Sequence, residues 1–575
     1  MRILGIWDGH DAGACVVENG KILVAINEER LTKKKLDIGF PEKSIKACLE
    51  YKRLTPSDVE IVACCGTQLS RILARQFPYF DKEFYKLRRR LSKKPAFERE
   101  RRLIKYFSIK YNVEYLRNIT KWQIKNKLSK LNFKNKKIYI IDHHLSHAAS
   151  AIFTSGFEKC LCITLDGVGD GLSGTINVFN NGKIKTISKI KEKDSLGLFF
   201  EEVTTILGFR ELEDEGKIMA MADYSYPIPD SKNPLLDFFK VDGLQIKAKH
   251  STIKRFLELE KIKWNTPMER FAYMAQKTLE KHILELFKNA IKNTGIKDVC
   301  FAGGVASNIK LNRVLRLYSE VKNLFIFPQM GDGGLAVGAA LYTDYKLNKI
   351  KPYKIENVYF GLDFTMEEIK DTLKDFSEKV EFEEIEDPVA TAAELLIKEN
   401  YLFWFQGRME YGPRALGTRS ILSRADSKNI KDKLNLFVKK REWFQPFCPS
   451  ILEEDALKIL ENYDGKPDRF MTMGYMVKPE LREKFSSIIN VDGSTRPQIV
   501  GNENPKYKKL LEIIKEKTGF GILLNTSFNL HGEPIVCTPQ DAVETMLKTK
   551  TESVSYTHLR AHETSLHLVC RLLLE

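Results

Sequence analysis

The sequence lacks several features that would place it in a familiar class at once. No stretch approaches about 18 uncharged apolar residues, and the opening MRILGIWDGHDA has no apolar signal-peptide core. We therefore expect a cytosolic (cytoplasmic) protein with no transmembrane segment. Its ten cysteines include no CxxC pair, so we expect them to be reduced and mostly buried. Histidine is scarce too, at ten of 575 residues.

The net charge of +16 comes almost entirely from one segment. Residues 81–137 hold 20 Lys or Arg and 5 Asp or Glu, so the rest of the chain is nearly neutral. This pattern predicts an amphipathic helical insertion in the first domain. A solvated helical face is the favoured interpretation; docking on an anionic polymer, a lipid surface or a phosphorylated substrate is the alternative. Nucleic acid is disfavoured as a partner but stays open through this insertion.

A chain of 575 residues exceeds one hydrophobic core, so two or more domains are expected. Two stretches near residues 2–29 and 161–188 repeat one plan: strand, Asp-Gly loop, strand, Asn-Gly turn, strand. The repeat predicts a duplicated α/β domain with two facing glycine-rich loops, the plan of the actin, sugar-kinase and Hsp70 nucleotide-binding fold. Two well-formed hairpins are the plainer alternative. Loop residues that could orient water, metal or substrate, or transfer a proton, are Asp8, His10, Asp11 and Asp166.

Three of the ten histidines fall within five residues, in the segment IYIIDHHLSHAASAIFTSG. The alanine-rich run predicts a helix that begins at His143 with Asp142 as its cap. His143 and His147 are four residues apart, so they share one helix face about 5–6 Å apart and can aim two imidazoles at one cation. His144 points elsewhere. A solvated or core-satisfied histidine cluster is the alternative.

Three later segments add candidate binding residues to the first domain. Lys217, in the EGK motif, could reach a phosphate or a carbonyl. Gly303 and Gly304 separate a strand from a helix bearing Asn308, and backbone near a helix N-terminus binds anions and ribose. Asp332, in a GDGG loop, is the predicted third metal ligand. Two imidazoles and one carboxylate leave coordination positions open for substrate.

Five segments, in this order, resemble one enzyme family: DHHLSHAASAIF, LDGVGDG, EGKIMAMA, AGGVASN and GDGGLAVGAA. They resemble the carbamoyltransferases that modify nodulation factors and aminoglycoside or cephalosporin antibiotics. The first domain of these enzymes is Kae1-like, similar to the universal threonylcarbamoyl-tRNA transferase. The resemblance implies a Kae1-like, actin-like ATPase domain at 1–350. In it, His143, His147 and Asp332 would hold a divalent metal, Fe²⁺, beside a nucleotide.

A lysine-rich stretch at about 345–358 separates off a second domain of α/β or α+β type. Its helices are predicted at 387–399, 427–438, 505–518 and 539–549, and its strands at 380–385, 401–405, 496–500 and 520–525. Its candidate phosphate-binding cations are Arg408, Arg414, Arg419, Arg424, Lys439, Arg441 and Arg496. Arginine forks bind phosphate bidentately, so their convergence would suit a substrate with several phosphates; solvated arginines are the alternative. Asn525 and Ser527 follow as small donors and acceptors at a strand end.

These segments resemble the C-terminal half of the same carbamoyltransferases, a YrdC-like domain similar to the enzymes that make threonylcarbamoyl-adenylate. The resemblance covers about residues 1–550. It implies that residues 358–552 convert carbamoyl phosphate and ATP to carbamoyl-adenylate. The implied binding residues are Arg414, Arg419, Lys439, Arg441, Arg496, Asn525 and Ser527. The first domain would then pass the carbamoyl group to an acceptor hydroxyl on a sugar, a glycan or an antibiotic-like small molecule.

Residues 553–575 differ in composition from the rest, with three histidines in ten residues. We expect this tail to be a non-native cloning or assembly artefact. Loss of a native last strand would leave an unpaired sheet edge.

Two alternatives of other classes stay open. One is a tRNA-modifying (threonyl)carbamoyl transferase that holds RNA through the basic insertion. The other is a nucleotide-gated, actin-like binding protein, which the arginine-rich second domain disfavours.

Overall fold

The structure is a computed structural model of the 575-residue chain. It describes residues 1–89, 113–398, 401–427, 429–549, 553–557 and 567–572. The chain divides into two compact units. The first unit comprises Met1–Thr32 and Leu36–Ile355, and the second comprises Lys33–Lys35 and Glu356–Glu575.

The first unit contains two five-stranded sheets of the same strand order. The first sheet is built from β1 (Arg2–Trp7), β2 (Gly13–Glu18), β3 (Lys21–Asn27), β4 (Ile61–Cys65) and β5 (Lys137–Ile141). The later strands are β6 (Cys160–Gly169), β7 (Leu172–Asn180), β8 (Lys183–Lys191), β9 (Phe239–Asp242), β10 (Gln245–Ala248), β11 (Asp298–Ala302) and β12 (Asn323–Ile326). The sheet orders are β3-β2-β1-β4-β5 and β8-β7-β6-β11-β12, and β9 pairs with β10 separately. In each sheet an antiparallel three-stranded meander is followed by two parallel strands.

The two meanders have the same pair of residues in one of their turns. Asn19 and Gly20 have φ angles of 49° and 78°, and Asn181 and Gly182 have φ angles of 50° and 67°. Two consecutive residues with positive φ form the turn that matches the twist of a two-stranded hairpin, and Asn-Gly favours it. The repeated hairpins predicted from the sequence are therefore confirmed.

Helices surround these sheets. In the first unit they are α1 (Glu29–Thr32), α2 (Glu42–Tyr51), α3 (Leu69–Gln76), α4 (Pro78–Arg88), α5 (Val113–Ser129), α6 (His143–Ser155), α7 (Leu196–Ile206), α8 (Glu215–Met221), α9 (Thr252–Trp264), α10 (Met268–Thr294), α11 (Ile309–Arg316) and α12 (Leu335–Asn348). Helices α6 and α12 lie against each other, α6 following the edge strand β5 and α12 following the edge strand β12. A Cβ on Gly338 would lie 1.9 Å from the Ser146 carbonyl oxygen, so glycine permits this close approach.

The basic insertion is described only at its two ends. Helices α4 and α5 form these ends, and residues 90–112, where much of the predicted amphipathic pattern falls, lie outside the described residues. Among the described residues, no helix has both the length and the apolar character that crossing a membrane requires.

The second unit is organised around a larger mixed sheet. Its strands are β13 (Val380–Ile385), β14 (Leu402–Gln406), β15 (Arg419–Arg424), β16 (Cys448–Leu452), β17 (Leu460–Glu461), β18 (Tyr475–Val477), β19 (Ser494–Thr495), β20 (Gln498–Val500), β21 (Ile522–Ser527), β22 (Ser553–Thr557) and β23 (His567–Leu572). Eight form one sheet in the order β13-β23-β22-β14-β15-β21-β16-β20, and β17-β18-β19 form a smaller one.

Helices of the second unit pack on the larger sheet. They are α13 (Met366–Asp375), α14 (Pro388–Ile397), α15 (Ile430–Lys433), which continues as a π-helix at Leu434–Lys439, α16 (Glu453–Ile459), α17 (Pro505–Thr518) and α18 (Pro539–Thr549). Trp404, Leu422 and Leu523 on the strands pack with Leu510 and Leu511 on α17 in a buried core. The four helices and four strands predicted for this region are all present, with shifts of a few residues at their ends.

The tail takes part in the sheet where it is described. Strand β22 pairs in parallel with β14, and β23 lies between β22 and β13. The position beside β14 is therefore occupied rather than left as the unpaired edge that loss of a native strand would produce. That residues 553–575 are non-native stays a prediction.

Candidate metal centre and cationic cluster

Helix α6 begins at His143, as predicted, but its first N–H is capped by a different residue. Asp142 holds the N-cap position, yet its side chain accepts no hydrogen bond from the helix and pairs with Arg117 instead. The acceptor is Asp170, whose Oδ2 lies 2.8 Å from the His143 N and whose Oδ1 lies 2.8 Å from the Thr67 N. The predicted Asp142 side-chain cap is wrong because a neighbouring guanidinium takes that carboxylate.

Four side chains converge at the amino end of α6. They are His143 and His147 from α6, Asp166 from β6, and Asp332 from the loop before α12, and one ligand atom of each lies within 4.8 Å of the others. The two Nε2 atoms are 3.1 Å apart. The Oδ2 atom of Asp166 lies 3.0 and 3.2 Å from them, and the Oδ1 atom of Asp332 lies 3.4 and 3.5 Å from them.

These separations fit the edges of a coordination polyhedron. Ligand atoms about 2.0–2.1 Å from one ion are separated by about 2.9 Å at a right angle and about 3.4 Å at the tetrahedral angle. The five distances given above span 3.0–3.5 Å. Imidazole and carboxylate lone pairs held this close repel one another unless a proton or a cation lies between them. The four residues therefore form a candidate site for a divalent metal ion, with nitrogen and oxygen ligands.

The pKa values of the two carboxylates in the cluster are shifted in opposite directions. Burial by itself would raise the pKa of Asp166, but hydrogen bonds with His143 and His147 outweigh it and hold the pKa well below its ordinary value. Burial, with Asp166 nearby, raises the pKa of Asp332 well above its ordinary value, although His143 opposes this. Two buried carboxylates that share one site resist ionising together, and a divalent cation relieves that conflict.

His144 lies off the shared face, as its position on the helix predicts. Its Nδ1 is 3.0 Å from the Thr164 hydroxyl and its Nε2 is 3.1 Å from the Leu172 carbonyl oxygen. Burial, then the neighbouring histidines, lowers the pKa of His144 to about 3. This histidine is therefore neutral and holds α6 against strands β6 and β7.

The loop after β1 brings two of the predicted residues to the cluster. The Nε2 atom of His10 lies 3.3 Å from Oδ2 of Asp332, and the His10 carbonyl accepts a 2.7 Å hydrogen bond from the Trp7 indole. Asp11 has a φ of 56°, and its Oδ2 accepts a 3.2 Å hydrogen bond from Gln329. His10 is thus placed to contact a group bound at Asp332.

Asp8, in contrast, is engaged away from the cluster. Its buried carboxylate accepts hydrogen bonds from Nε and Nη2 of Arg75, at 2.6 and 2.9 Å. Arg71 donates to the Asp8 carbonyl. Burial by itself would raise the pKa of Asp8, but the two guanidiniums outweigh it and lower the pKa. The contacts of Asp8 are those of a residue that fixes the loop, and its catalytic role stays a prediction.

The glycine pair of the second repeat reaches the cluster through its backbone. Gly303 has a φ of 95°, and a Cβ there would lie 2.1 Å from the Leu165 carbonyl oxygen, so glycine is required. The N–H of Gly304 donates to Oδ1 of Asp166 over 3.2 Å. The loop predicted to bind a nucleotide thus adjoins the candidate metal ligands.

Two other predicted nucleotide-binding residues have local partners. Asn308 caps α11 by accepting from the Leu311 N at 3.0 Å and exchanges hydrogen bonds with Gln276. Lys217 is buried and lies 3.1 Å from Asp214. These contacts hold the two residues in the fold, and their nucleotide-binding role stays a prediction.

Four cations of the second unit form what we call the cationic cluster: Arg414, Lys439, Arg441 and Arg496. Burial, followed by the charge of Arg496, lowers the pKa of Arg414 to about 9. Burial is also the main reason that the pKa of Arg441 falls to about 10 and that of Lys439 falls well below its usual range, with Arg441 adding to the effect on Lys439. The buried Nε atoms of Arg414 and Arg496 have no hydrogen-bond partner among the described residues. Such a cluster is a candidate anion site.

Two members of the cationic cluster also have protein partners. The ammonium of Lys439 donates to the Ser527 carbonyl and hydroxyl and to Oδ1 of Asn529, the last over 2.8 Å. Arg441 donates to Asn435 through its Nε at 2.7 Å. The Lys439 contacts tie the cluster to the end of β21.

Only part of the predicted set of cations converges. Arg408 donates to the Phe360 carbonyl at 2.8 Å, and Arg424 is paired with Asp426 at 2.8 Å. Arg419 is fully buried, and its Nη1 donates to the main-chain carbonyls of residues 406, 407 and 418. Arg408 and Arg424 are engaged by carbonyl groups and a carboxylate, and their place in the phosphate-binding group stays a prediction. A binding role for Arg419 stays a prediction.

Sequence reasoning missed the residue that shapes the loop bearing Arg414. The buried carboxylate of Glu410 accepts hydrogen bonds at 2.8, 2.8 and 3.1 Å from the main-chain N–H groups of Leu416, Thr418 and Arg419. The sequence feature that could have identified Glu410 is its position as an acidic residue inside an arginine- and glycine-rich stretch. Two further missed residues are Arg75 and Asp170.

A buried cluster of metal-ligand type and a cluster of cations, on separate units, are features of a group-transfer enzyme that handles anionic substrates. Family models of the carbamoyltransferase N-terminus and the carbamoyltransferase C-terminus match residues 2–341 and 393–560. The chain belongs to the carbamoyltransferase family and is a transferase, which confirms the resemblance drawn from its motifs.

Curated relatives agree with this assignment over most of the chain. Nodulation protein NolNO of Sinorhizobium fredii is 32% identical over 95% of this chain and 78% of its own length. Nodulation protein NolO of Bradyrhizobium diazoefficiens is 34% identical over 72% of this chain and 77% of its own length. An uncharacterized protein of Methanocaldococcus jannaschii is 32% identical over 95% of this chain and 96% of its own length.

Solved structures give weaker matches. The match to full-length HypF in its phosphate- and nucleotide-bound form covers 60% of this chain and 46% of the HypF chain, at 14% identity and a TM-score of 0.34. The match to the activator of the 2-hydroxyisocaproyl-CoA dehydratase of Clostridium difficile covers 62% of this chain and all of the activator chain, at 16% identity and a TM-score of 0.33. Both TM-scores are below the level at which two chains are taken to share a fold.

Proposed function

We propose that this protein is an ATP-dependent O-carbamoyltransferase that works in two steps. The second unit, YrdC-like, makes carbamoyl-adenylate from carbamoyl phosphate and ATP. The first unit, Kae1-like and actin-like, transfers the carbamoyl group from the adenylate to an acceptor hydroxyl. The acceptor is a sugar, a glycan or an antibiotic-like small molecule.

The observation that carries the proposal is the cationic cluster. Arg414 and Arg496 have partly buried guanidinium groups whose Nε atoms have no partner among the described residues, and no carboxylate of that part of the chain forms an ion pair with them. A cation cluster of this kind gains most from an anion that accepts several charge-assisted hydrogen bonds. Carbamoyl phosphate and the triphosphate of ATP are such anions.

In the proposed first step, water hydrolyses carbamoyl phosphate to carbamate and phosphate. A carbamate oxygen then attacks the α-phosphorus of ATP, and the bond to pyrophosphate breaks. Arg414, Arg441 and Arg496 bind the phosphate oxygens and stabilise the charge that develops on them. Lys439, held at Ser527, orients the end of β21 beside these anions.

In the proposed second step, the acceptor oxygen attacks the carbamoyl carbon and the bond to AMP breaks. His10 accepts the hydroxyl proton at Nε2, the atom that lies 3.3 Å from Asp332. A divalent cation held by His143, His147, Asp166 and Asp332 would supply Lewis-acid polarisation of the carbamoyl carbonyl. Two imidazoles and carboxylate oxygens with open positions suit non-haem Fe²⁺, which is the ion we propose.

The test of this function is pyrophosphate release from ATP. Purified protein should release pyrophosphate only when ATP and carbamoyl phosphate are both present, and phosphate should appear in equal amount. Release of γ-phosphate from ATP without carbamoyl phosphate and without pyrophosphate would contradict adenylate formation.

A tRNA-modifying transferase is the second candidate, favoured by the +15 charge balance of residues 81–137. Phosphate contacts release counterions, so RNA binding through this segment would weaken steeply with salt. Filter binding of bulk tRNA at low and moderate salt distinguishes the two candidates. Salt-dependent binding that is lost when Lys121 and Lys125 are neutralised would support the tRNA candidate.

A further inference from the structure

Two loops of the first unit meet beside the candidate metal centre. One follows β1 and carries His10 and Asp11, and the other precedes α12 and carries Asp332 and Gly333. A Cβ on Gly333 would lie 2.2 Å from Oδ2 of Asp11, so a larger residue at this position would displace that carboxylate. The two loops therefore touch one residue away from His10 and one residue away from the candidate ligand Asp332.

The side chain of Asn27, at the end of β3, bridges these loops. Its Nδ2 donates to the carbonyl oxygens of Asp11 and Gly333, each over 3.3 Å. A carboxamide nitrogen carries two hydrogens and a carbonyl oxygen only accepts, so both donors are used and the orientation of the amide is fixed. Asn27 is buried, which shields these hydrogen bonds from water. Its side chain thus joins the residue after His10 to the residue after Asp332.

The side chain of Gln329 holds Asn27 in this orientation. Its Nε2 lies 3.2 Å from Oδ1 of Asn27 and 3.2 Å from Oδ2 of Asp11. Gln329 is buried too, so the loss of either amide would leave a buried polar group of the other without its partner. We call Asn27 and Gln329 the amide pair. It connects the two loops through hydrogen bonds to both of them.

Asp332 depends on such a connection more than the other candidate ligands do. His143 and His147 are placed by helix α6, and Asp166 is placed by strand β6. Asp332 lies in a short 3-10 turn between β12 and α12. Sites on helices and strands are held more precisely than sites on connecting segments, so the position of Asp332 relies on contacts with neighbouring loops.

We propose that Asn27 is a positioning residue of the metal centre, which holds the Asp332 loop against the His10 loop and so keeps the Asp332 carboxylate in place for a divalent ion. This inference rests on the metal centre of the proposed function. Asn27 acts through Asp332, in the way that hydrogen-bonded partners behind metal ligands generally orient them.

The experiment measures the affinity of the full chain for Co²⁺, added alone to metal-free protein and followed by its visible absorption. Asn27→Ala should weaken Co²⁺ binding by about 10- to 100-fold. Asn233→Ala is the matched control, because Asn233 is also a buried residue of the first unit that donates to the Met274 carbonyl and accepts from the Leu235 N–H. The control variant should keep the wild-type affinity.

A double-mutant cycle distinguishes positioning from a general structural effect. Because Asn27 acts through Asp332, adding Asn27→Ala to Asp332→Ala should change the Co²⁺ affinity by less than about two-fold. A defect that spreads to the histidine ligands would instead weaken binding further in the Asp332→Ala background, and that result would overturn the proposal.

The outcomes separate this inference from the function on which it rests. Wild-type Co²⁺ binding that is absent, or that Asp332→Ala leaves unchanged, would overturn the metal centre itself, whereas pyrophosphate release tests the second unit independently. Wild-type binding that depends on Asp332 but is unchanged in Asn27→Ala would overturn the role of Asn27 alone. If Asn27→Ala does not fold, Gln329→Met decides: it removes the donor to Asn27 and should weaken Co²⁺ binding by about 2- to 10-fold, and unchanged binding would overturn the proposal.

Discussion

At the residue scale, the candidate metal centre is a set of four side chains of which sequence reasoning identified three as ligands. The spacing of His143 and His147 predicted a shared helix face, because helix periodicity is a local property. Asp332 could be chosen from its glycine loop. Asp166 was assigned to catalysis instead, since no local sequence pattern shows that its carboxylate lies 3.0 Å from a histidine on another element.

The metal centre predicts a change in ion content. Purified protein should hold about one divalent ion per chain, and His147→Ala should lose most of it because one of four ligands disappears. His250→Ala, another histidine of the first unit outside the cluster, is the control and should retain the ion. Metal analysis by mass spectrometry measures both. Undiminished ion content in His147→Ala would exclude this site.

Capping of α6 gives a second prediction, in which sequence and structure disagree. Asp170→Ala should destabilise the first unit by about 1 kcal/mol, because the His143 N–H loses its acceptor. It should also weaken metal binding about 10- to 100-fold, since the residue orients a ligand-bearing helix. Asp142→Ala, at the position that sequence alone favours, should have a smaller effect on both. Thermal unfolding and metal titration of the two variants provide the comparison, and the reverse ranking would show that Asp142 is the cap after all.

At the scale of elements, the repeated meanders were predictable, and the pairing of the parallel strands beside them was not. Asn-Gly turns and alternating apolar residues specify a hairpin within about 20 residues of sequence. Strands β4 and β5, and likewise β11 and β12, join their sheets through pairing with distant strands. Their position depends on tertiary packing, as does the close contact of α6 with α12 at Gly338.

A buried ion pair links helix α3 to the loop after β1, which also carries His10. Arg75 on α3 and Asp8 in the loop are both buried, and their charged groups lie 2.6 Å apart. Removing one partner leaves an uncompensated buried charge, so Arg75→Ala should destabilise the first unit by about 3–5 kcal/mol. Glu42→Gln breaks an exposed pair with Lys46 and should change little. Urea unfolding measures both, and equal effects would show that the Asp8 pair contributes no more than a surface pair.

The same pair predicts a pH dependence. The pKa of Asp8 in the folded protein lies below its ordinary value of 3.8, so ionised Asp8 stabilises the fold at pH values above about 4. That contribution is lost as the pH falls through the folded-state pKa. The stability difference between wild type and Asp8→Asn should therefore be large at pH 7 and smaller at pH 3. A difference that grows on acidification would contradict the lowered pKa.

At the scale of the whole molecule, the residue pattern predicted two α/β regions and the cations of the second, and only the family resemblance singled out a subset of those cations. Arg408 and Arg424 have carbonyl or carboxylate partners that lie elsewhere in the chain or in the neighbouring loop. Arginines in one stretch point in different directions once the strand and loop are formed. The selection of Arg414, Arg441 and Arg496 is thus a consequence of tertiary structure.

The central claim is that the two units perform separate steps, and one paired measurement tests it most directly. Pyrophosphate release and acceptor carbamoylation are measured on Arg414→Ala, on His147→Ala and on the control Arg424→Ala. Arg414→Ala should lower both rates by about 10²–10³, because a preorganised contact to phosphate is lost. His147→Ala should lower carbamoylation to a similar extent and leave pyrophosphate release largely intact, and Arg424→Ala should retain both. If folded His147→Ala loses pyrophosphate release as completely as Arg414→Ala does, the two steps share one active site and the account is wrong.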